Sequence, residues 1–231
     1  MNLQGSGIGT LNESALHAAL REWYARPGDR FEMYVDGYLI DIVRGDTLIE
    51  VQTSGFSSIK RKIGDLVERH SLRLVHPVAL EKWIVKVGDD GVSRLSRRKS
   101  PKRGRIEDMF WELVRLPDIV ARPSFSLDIV LIRAEEVRQH QSGRRWRRGG
   151  WVTIGRKMIE VVEAHQFETV EDVAALLPAD VTGEFTTGDL SDALGLSRQL
   201  AQKMAYCLRE MGAIRPTGKR GRSIAYARNV P

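Results

Sequence analysis

The chain has 231 residues, 42% of them hydrophobic and 29% charged, with a formal net charge of +6. This is the composition of a globular protein with room for two domains, and it excludes a disordered chain. The single cysteine, Cys207, excludes an internal disulfide and a cysteine-rich zinc site. No apolar run approaches the roughly 18 residues that a bilayer span needs, and Met1–Ser6 lacks the start of a leader, so a cytoplasmic protein without a membrane partner is expected.

In chain order, a first helix is predicted from Asn12 to Tyr24, with Asn12 as cap, Leu16, Leu20 and Trp23 at helical spacing, and Pro27-Gly28-Asp29 as the stop. Three short strands follow as a meander: Phe31–Val35, Tyr38–Val43 and Thr47–Thr53. They are separated by the hairpin signals Asp36-Gly37 and Gly45-Asp46. A second helix is predicted over Ser57–Arg69, with Ile59, Ile63, Leu66 and Val67 on one stripe. Strands at Leu72–Val75 and Lys82–Val87 come next. Arg94–Arg105 holds seven basic residues, no acid and a proline, and reads as an exposed loop. A helix at Ile106–Arg115 and a strand at Ser126–Ile132 complete a domain over residues 1–138. Residues 139–184 read as a basic linker (Gln139–Gly150) and bridging segment, with a strand-like run at Met158–Val162 and a helix near Val170–Leu177.

The charge is unevenly spread. Residues 185–231 carry eight Lys and Arg against three acids, a balance of +5, which favours a polyanion as partner. Thr186 and Thr187 are caps for a short helix over Gly188–Ala193, Gly195 permits a tight turn, and Ser197 caps a longer helix over Arg198–Met211. Leu200, Met204 and Leu208 form its buried stripe, leaving Arg198, Gln199, Gln202 and Lys203 near the other face. Two short strands then enclose the basic tip Gly218–Arg222. This segment resembles the winged helix-turn-helix family over about 45 residues. The resemblance implies DNA binding, with Arg198, Gln199, Gln202 and Lys203 at base edges and Lys219, Arg220 and Arg222 at phosphates. In the basic segment, Arg97, Arg98, Lys99, Lys102 and Arg103 would track the backbone, and Trp146 among its arginines would stack on a base or dock on the core.

The meander holds Asp41 on its second strand and Glu50 and Gln52 on its third. A charge inside an apolar strand is costly unless paired or metal-bound, and two carboxylates on neighbouring strands repel unless a cation joins them. The bland alternative is that both are paired with arginines. The pattern Asp41, eight residues, Glu50-Val51-Gln52 resembles the PD-(D/E)xK superfamily of restriction-endonuclease-like phosphodiesterases, over roughly residues 10–90. The order helix, three-strand meander, helix, strand also matches. The resemblance implies an α/β fold, a mixed sheet flanked by helices, and Mg²⁺ or Mn²⁺ bound by Asp41, Glu50 and the carbonyl of Val51. It further implies a role for Glu13 on the first helix, and it admits a homodimer. Gln52 stands where the family has lysine; being neutral, it cannot act as a general base and would only position water. Lys60 or Lys62 would then supply the positive charge. Asp128 reads as structural, and the five histidines show no metal spacing.

The reading is a metal-dependent DNA endonuclease targeted by a C-terminal winged helix. Two rivals compete with it: a non-catalytic DNA-binding protein or regulator with a degenerate nuclease fold, which Gln52 favours, and an RNA-acting protein whose winged helix mediates assembly.

Overall fold

The structure, a computed structural model, describes residues 8–141, 148–179, 181 and 183–229, with side chains of the first helix, α1 (Ile8–Tyr24), described from residue 15 on. It is a mixed α/β protein with a large mixed sheet flanked by helices. Two compact units are interleaved in sequence: Met1–Asp29 with Pro77–Arg105 and Val130–Ala164, and Arg30–His76 with Ile106–Ile129 and His165–Pro231. These divisions differ from boundaries near 138 and 184 because three long strands, Ser71–Val87, Phe125–His140 and Trp151–Phe167, each contribute residues to both units.

In the second unit, β1 (Arg30–Val35), β2 (Tyr38–Arg44) and β3 (Thr47–Val51) form the expected antiparallel meander. Asp36 (φ 50) and Gly37 (φ 82) close the first hairpin, a left-handed pair that asparagine, aspartate and glycine tolerate best. A 3-10 turn (Phe56–Ser58) and α2 (Lys60–Val67) lead into β4 (Ser71–Val87), whose start pairs parallel to β3. Ile63, Leu66 and Val67 of α2 are buried, as are Ile40, Ile42 and Ile49 of the meander. β6 (Phe125–His140) begins in this unit beside β4. The helix expected at Ile106–Arg115 is a 3-10 turn (Ile106–Met109) followed by the single turn α3 (Phe110–Leu113).

Other elements depart from expectation for local reasons. β4 is one strand through Pro77 rather than two. β3 pairs only as far as Val75 and β5 (Arg94–Lys99) begins at Trp83, so the missing N–H of Pro77 costs no ladder bond on that edge. β5 itself was expected as loop; an edge strand exposed along its whole length accommodates a run of cations. Trp151–Phe167, expected within the bridging segment, is β7, next to β6 in the sheet, and Gln141 N–H bonds Gly150 C=O at 2.9 Å where the connection returns. Its strand character was masked because its burial is mostly partial or absent. The helix near Val170–Leu177 is shorter, α4 (Val170–Ala174), capped by Thr169 with Asp172 in return.

The C-terminal residues form β8 (Phe185–Thr186), α5 (Thr187–Leu194), α6 (Arg198–Glu210), β9 (Ile214–Arg220) and β10 (Ser223–Arg228), with sheet order β8-β10-β9. Thr186 caps α5, Gly195 (φ 60) turns the chain and Ser197 caps α6, while Leu200, Met204 and Leu208 are buried as expected. Among the described residues no helix is long and apolar enough to cross a membrane.

Candidate active site

β2 and β3 pair Ile42 with Ile49 and Val43 with Leu48, and continuing that register sets Asp41 directly opposite Glu50. Directly opposed residues share a face, so the two carboxylates are neighbours. Asp41 Oδ2 accepts the Val51 N–H at 2.8 Å. Glu50 is only 6% exposed, and its Oε1 is closed off from solvent against the Lys62 ammonium. Burial foremost, then the charge of Asp41, push the Glu50 carboxyl up to about 7 against the pull of Lys62.

Lys62 supplies the positive charge. It projects from α2, sets its ammonium against Glu50 Oε1 and donates to the carbonyl of Leu39. On this amphipathic helix Lys62 lies next to the buried Ile63 and is itself half-buried, whereas Lys60 is exposed. Of the two lysines weighed from the sequence, Lys62 is the one at the site.

Gln52 faces a different task. Its amide N–H₂ lies 3.0 Å from Ser54 Oγ, 3.1 Å from Gly55 O and 3.1 Å from Ser58 Oγ, so it ties down the loop after β3. Its backbone N–H donates to Val75 O at 2.8 Å, and its carbonyl is 2.6 Å from His76 Nδ1. His76, read from sequence as a strand-end feature, also meets Phe56 edge-on at 4.9 Å. Glu112 of α3 was missed altogether: its Oε2 accepts the Phe56 N–H at 3.1 Å, closing the same loop from the other side. The strand period flags His76, since it lies at Gln52's level on the parallel neighbour, but nothing in the sequence pairs Glu112 with residue 56.

Asp41 and Glu50 are the hard oxygen donors that a divalent cation takes. Two oxygen-ligand carboxylates meet on one face, and the buried one has only the Lys62 ammonium to offset the charge of Asp41, a repulsion that a hard cation relieves. Among the described residues no group of three or more His, Cys, Asp or Glu is placed to hold a metal, so Asp41 and Glu50 would need the Val51 carbonyl and water to complete the set. The side chain of Glu13 lies outside the described residues. Asp128 is 3.9 Å from Arg73, a structural placement.

On α6, Arg198, Gln199 and Gln202 are exposed, whereas Lys203 is half-buried with its ammonium 5.4 Å from the centre of the Trp111 ring. At the β9–β10 tip, Lys219 and Arg222 are exposed, but Arg220 turns back to pair with Asp189 at the start of α5. In the other unit, Arg97 pairs with Glu135 at 2.7 Å, while Lys99 and Arg103 share Glu81 at 2.7 and 3.1 Å. Arg98 and Lys102 extend into solvent. Part of the basic segment therefore neutralises Glu81, which is buried, and Glu135, which is half-buried. Trp146 lies outside the described residues.

The profile of a family described as "Domain of unknown function (DUF8091)" matches residues 14–168, which include Asp41, Glu50, Gln52 and Lys62. An "Uncharacterized protein" of Treponema pallidum (strain Nichols) is 31% identical over 226 residues, covering 97% of this chain and 88% of the relative. No solved structure matches.

Proposed function

The chain belongs to the DUF8091 family, and we propose that it is a divalent-metal-dependent DNA endonuclease of restriction-endonuclease-like fold, carried to DNA by a C-terminal winged helix. The observation that carries this reading is the Asp41–Glu50 pair, opposed across β2 and β3 with the Lys62 ammonium against Glu50. Asp41, Glu50 and the Val51 carbonyl would hold Mg²⁺ or Mn²⁺. When bound, the ion supplies Lewis acidity for hydrolysis of a phosphodiester. Lys62 holds the Glu50 carboxylate toward its charged form, the form a cation requires. Gln52 anchors the loop after β3, and Lys62 takes the part that a lysine at position 52 plays elsewhere in the superfamily.

The winged-helix assignment is supported by the order β8-α5-α6-β9-β10, by the left-handed Gly195 between two capped helices, and by the +5 balance of residues 185–231. Arg198, Gln199 and Gln202 on α6 and Lys219 and Arg222 at the tip are the DNA contacts this assignment implies.

One observation favours a second reading, a DNA-binding protein without catalysis: the Gln52 amide is spent on the loop rather than turned to the carboxylates. Supercoiled plasmid incubated with Mn²⁺ or Mg²⁺ separates the two. Nicking by the wild type and none by Asp41→Ala/Glu50→Ala is expected. Equal cleavage by both proteins, or none by either, overturns the nuclease reading, and salt-sensitive binding without cleavage would establish the second.

A further inference from the structure

α6 is packed on one flank by α3, and between them lies a groove of about 490 Å³ lined by Val114, Gln199, Gln202, Lys203 and Tyr206. That volume falls in the range of about 300–1,000 Å³ usual for small-ligand sites. Trp111 (37% exposed) stands beside it under the Lys203 ammonium, and Tyr206 is 38% exposed. A tyrosine ring, two primary amides and a cation line this groove, with the Trp111 ring beside it, and these are the groups that recognise a nucleobase and its phosphate. Rings stack on the base face, an amide both donates to and accepts from a base edge, and an ammonium meets the adjoining phosphate.

The neighbouring helix restricts which DNA can use this groove. Packed helices lie about 8–10 Å apart axis to axis, and a major groove about 12 Å wide admits a single helix. A groove of about 490 Å³ beside α3 has room for one base out of the stack and not for a duplex. We infer that the groove between α3 and α6 is a binding site for one unpaired nucleobase of a DNA strand. The base stacks on Trp111 and Tyr206, Gln199 and Gln202 hydrogen-bond its edge, and Lys203 holds the adjoining phosphate. The inference rests on the DNA-acting reading above and narrows its substrate to DNA with an unpaired base.

The test is binding of the full chain, with metal chelated so that nothing is cut, to two otherwise identical duplexes. One is fully paired, and the other carries a single bulged 2-aminopurine. The bulged duplex is expected to bind about tenfold more tightly, the order that one base–aromatic stack supplies, with its 2-aminopurine fluorescence quenched. Trp111→Leu and, on the exposed surface, Tyr206→Leu should each reduce that preference while leaving affinity for the paired duplex within about twofold; the second variant replaces a ring that is 38% exposed. Equal affinity for the two duplexes, unquenched fluorescence, or a preference that survives both variants overturns the site. If the paired duplex still binds, the DNA-acting reading stands without it. Failure to bind either duplex overturns both.

Discussion

Asp41 and Glu50 stand opposite one another on antiparallel strands, and Glu50 is balanced by the Lys62 ammonium from the helix above. Such a pair is held together by the backbone at an electrostatic cost, because two like charges share a desolvated face. The consequences can be measured whether or not the chain cuts DNA.

Replacing Asp41 by Asn removes the like charge and keeps an oxygen for the Val51 N–H. The Glu50 carboxyl is raised in the folded protein to about 7, above the ordinary value of about 4.3. Its proton-bound form is therefore favoured by folding, and stability is lost as pH rises through that window. Asp41→Asn should thus be more stable than the wild type at pH 8 and indistinguishable near pH 4, while losing any nuclease activity. Urea unfolding at the two pH values checks this, and equal midpoints at pH 8 refute it.

Lys62→Met takes away the cation that lowers the Glu50 carboxyl. Its titration should move further up, followed by NMR of the side-chain carboxyl carbon, and plasmid nicking should fall at least about 100-fold, with part restored in Lys62→Arg. An unchanged titration would show that the ammonium does not bear on Glu50 in solution.

Glu136 behaves oppositely. Burial alone would raise its carboxyl, but hydrogen bonds and charges from Lys82 (2.7 Å) and Arg138 (2.7 Å) prevail and hold it at about 2. Its ionised form stabilises the fold above the ordinary carboxylate range, and that contribution is lost as pH falls toward about 2. Glu136→Gln should lower the thermal midpoint at pH 6, and the gap should narrow steadily on acidification. A gap that stays constant with pH would mean packing, not charge, is at stake.

At the C-terminus, Thr186 accepts from the N–H groups of Gly188 and Asp189, while Gly195 carries a φ of 60. Thr186→Ala and Gly195→Ala should each cost about 1 kcal/mol, from a lost cap and from a left-handed backbone respectively. Denaturant midpoints measure both, and a neutral Gly195→Ala would contradict the turn.

Lys219→Ala and Arg222→Ala should weaken DNA binding to a similar degree on any sequence and each lower the salt dependence by about one ion, as lost phosphate contacts do. Arg220→Ala should instead cost mainly stability, since its guanidinium is held by Asp189. Equal salt slopes for wild type and the first two variants would remove the tip from the DNA contacts.

The local elements were written in the sequence. Asp36-Gly37 and Gly45-Asp46 mark the meander, Thr186, Gly195 and Ser197 delimit α5 and α6, and the stripe of α2 names its buried face, because capping, turn chemistry and periodicity act within a few residues. The same short range explains the errors. Pro77 suggests a break until the partners of β4 are known, and the polar faces of β5 and β7 suggest loop or linker until their places beside β4 and β6 are seen. At the site, the sequence determined which chemistry was available: Asp41 and Glu50 on adjacent strands, with two lysines on the next helix. Only the tertiary structure decided that Lys62 rather than Lys60 meets Glu50, that the Gln52 amide is spent on its own loop, and that Glu112 closes that loop from 56 positions away. Ion pairs and amide networks depend on distances of a few ångströms between residues far apart in the chain, and no local pattern encodes those distances.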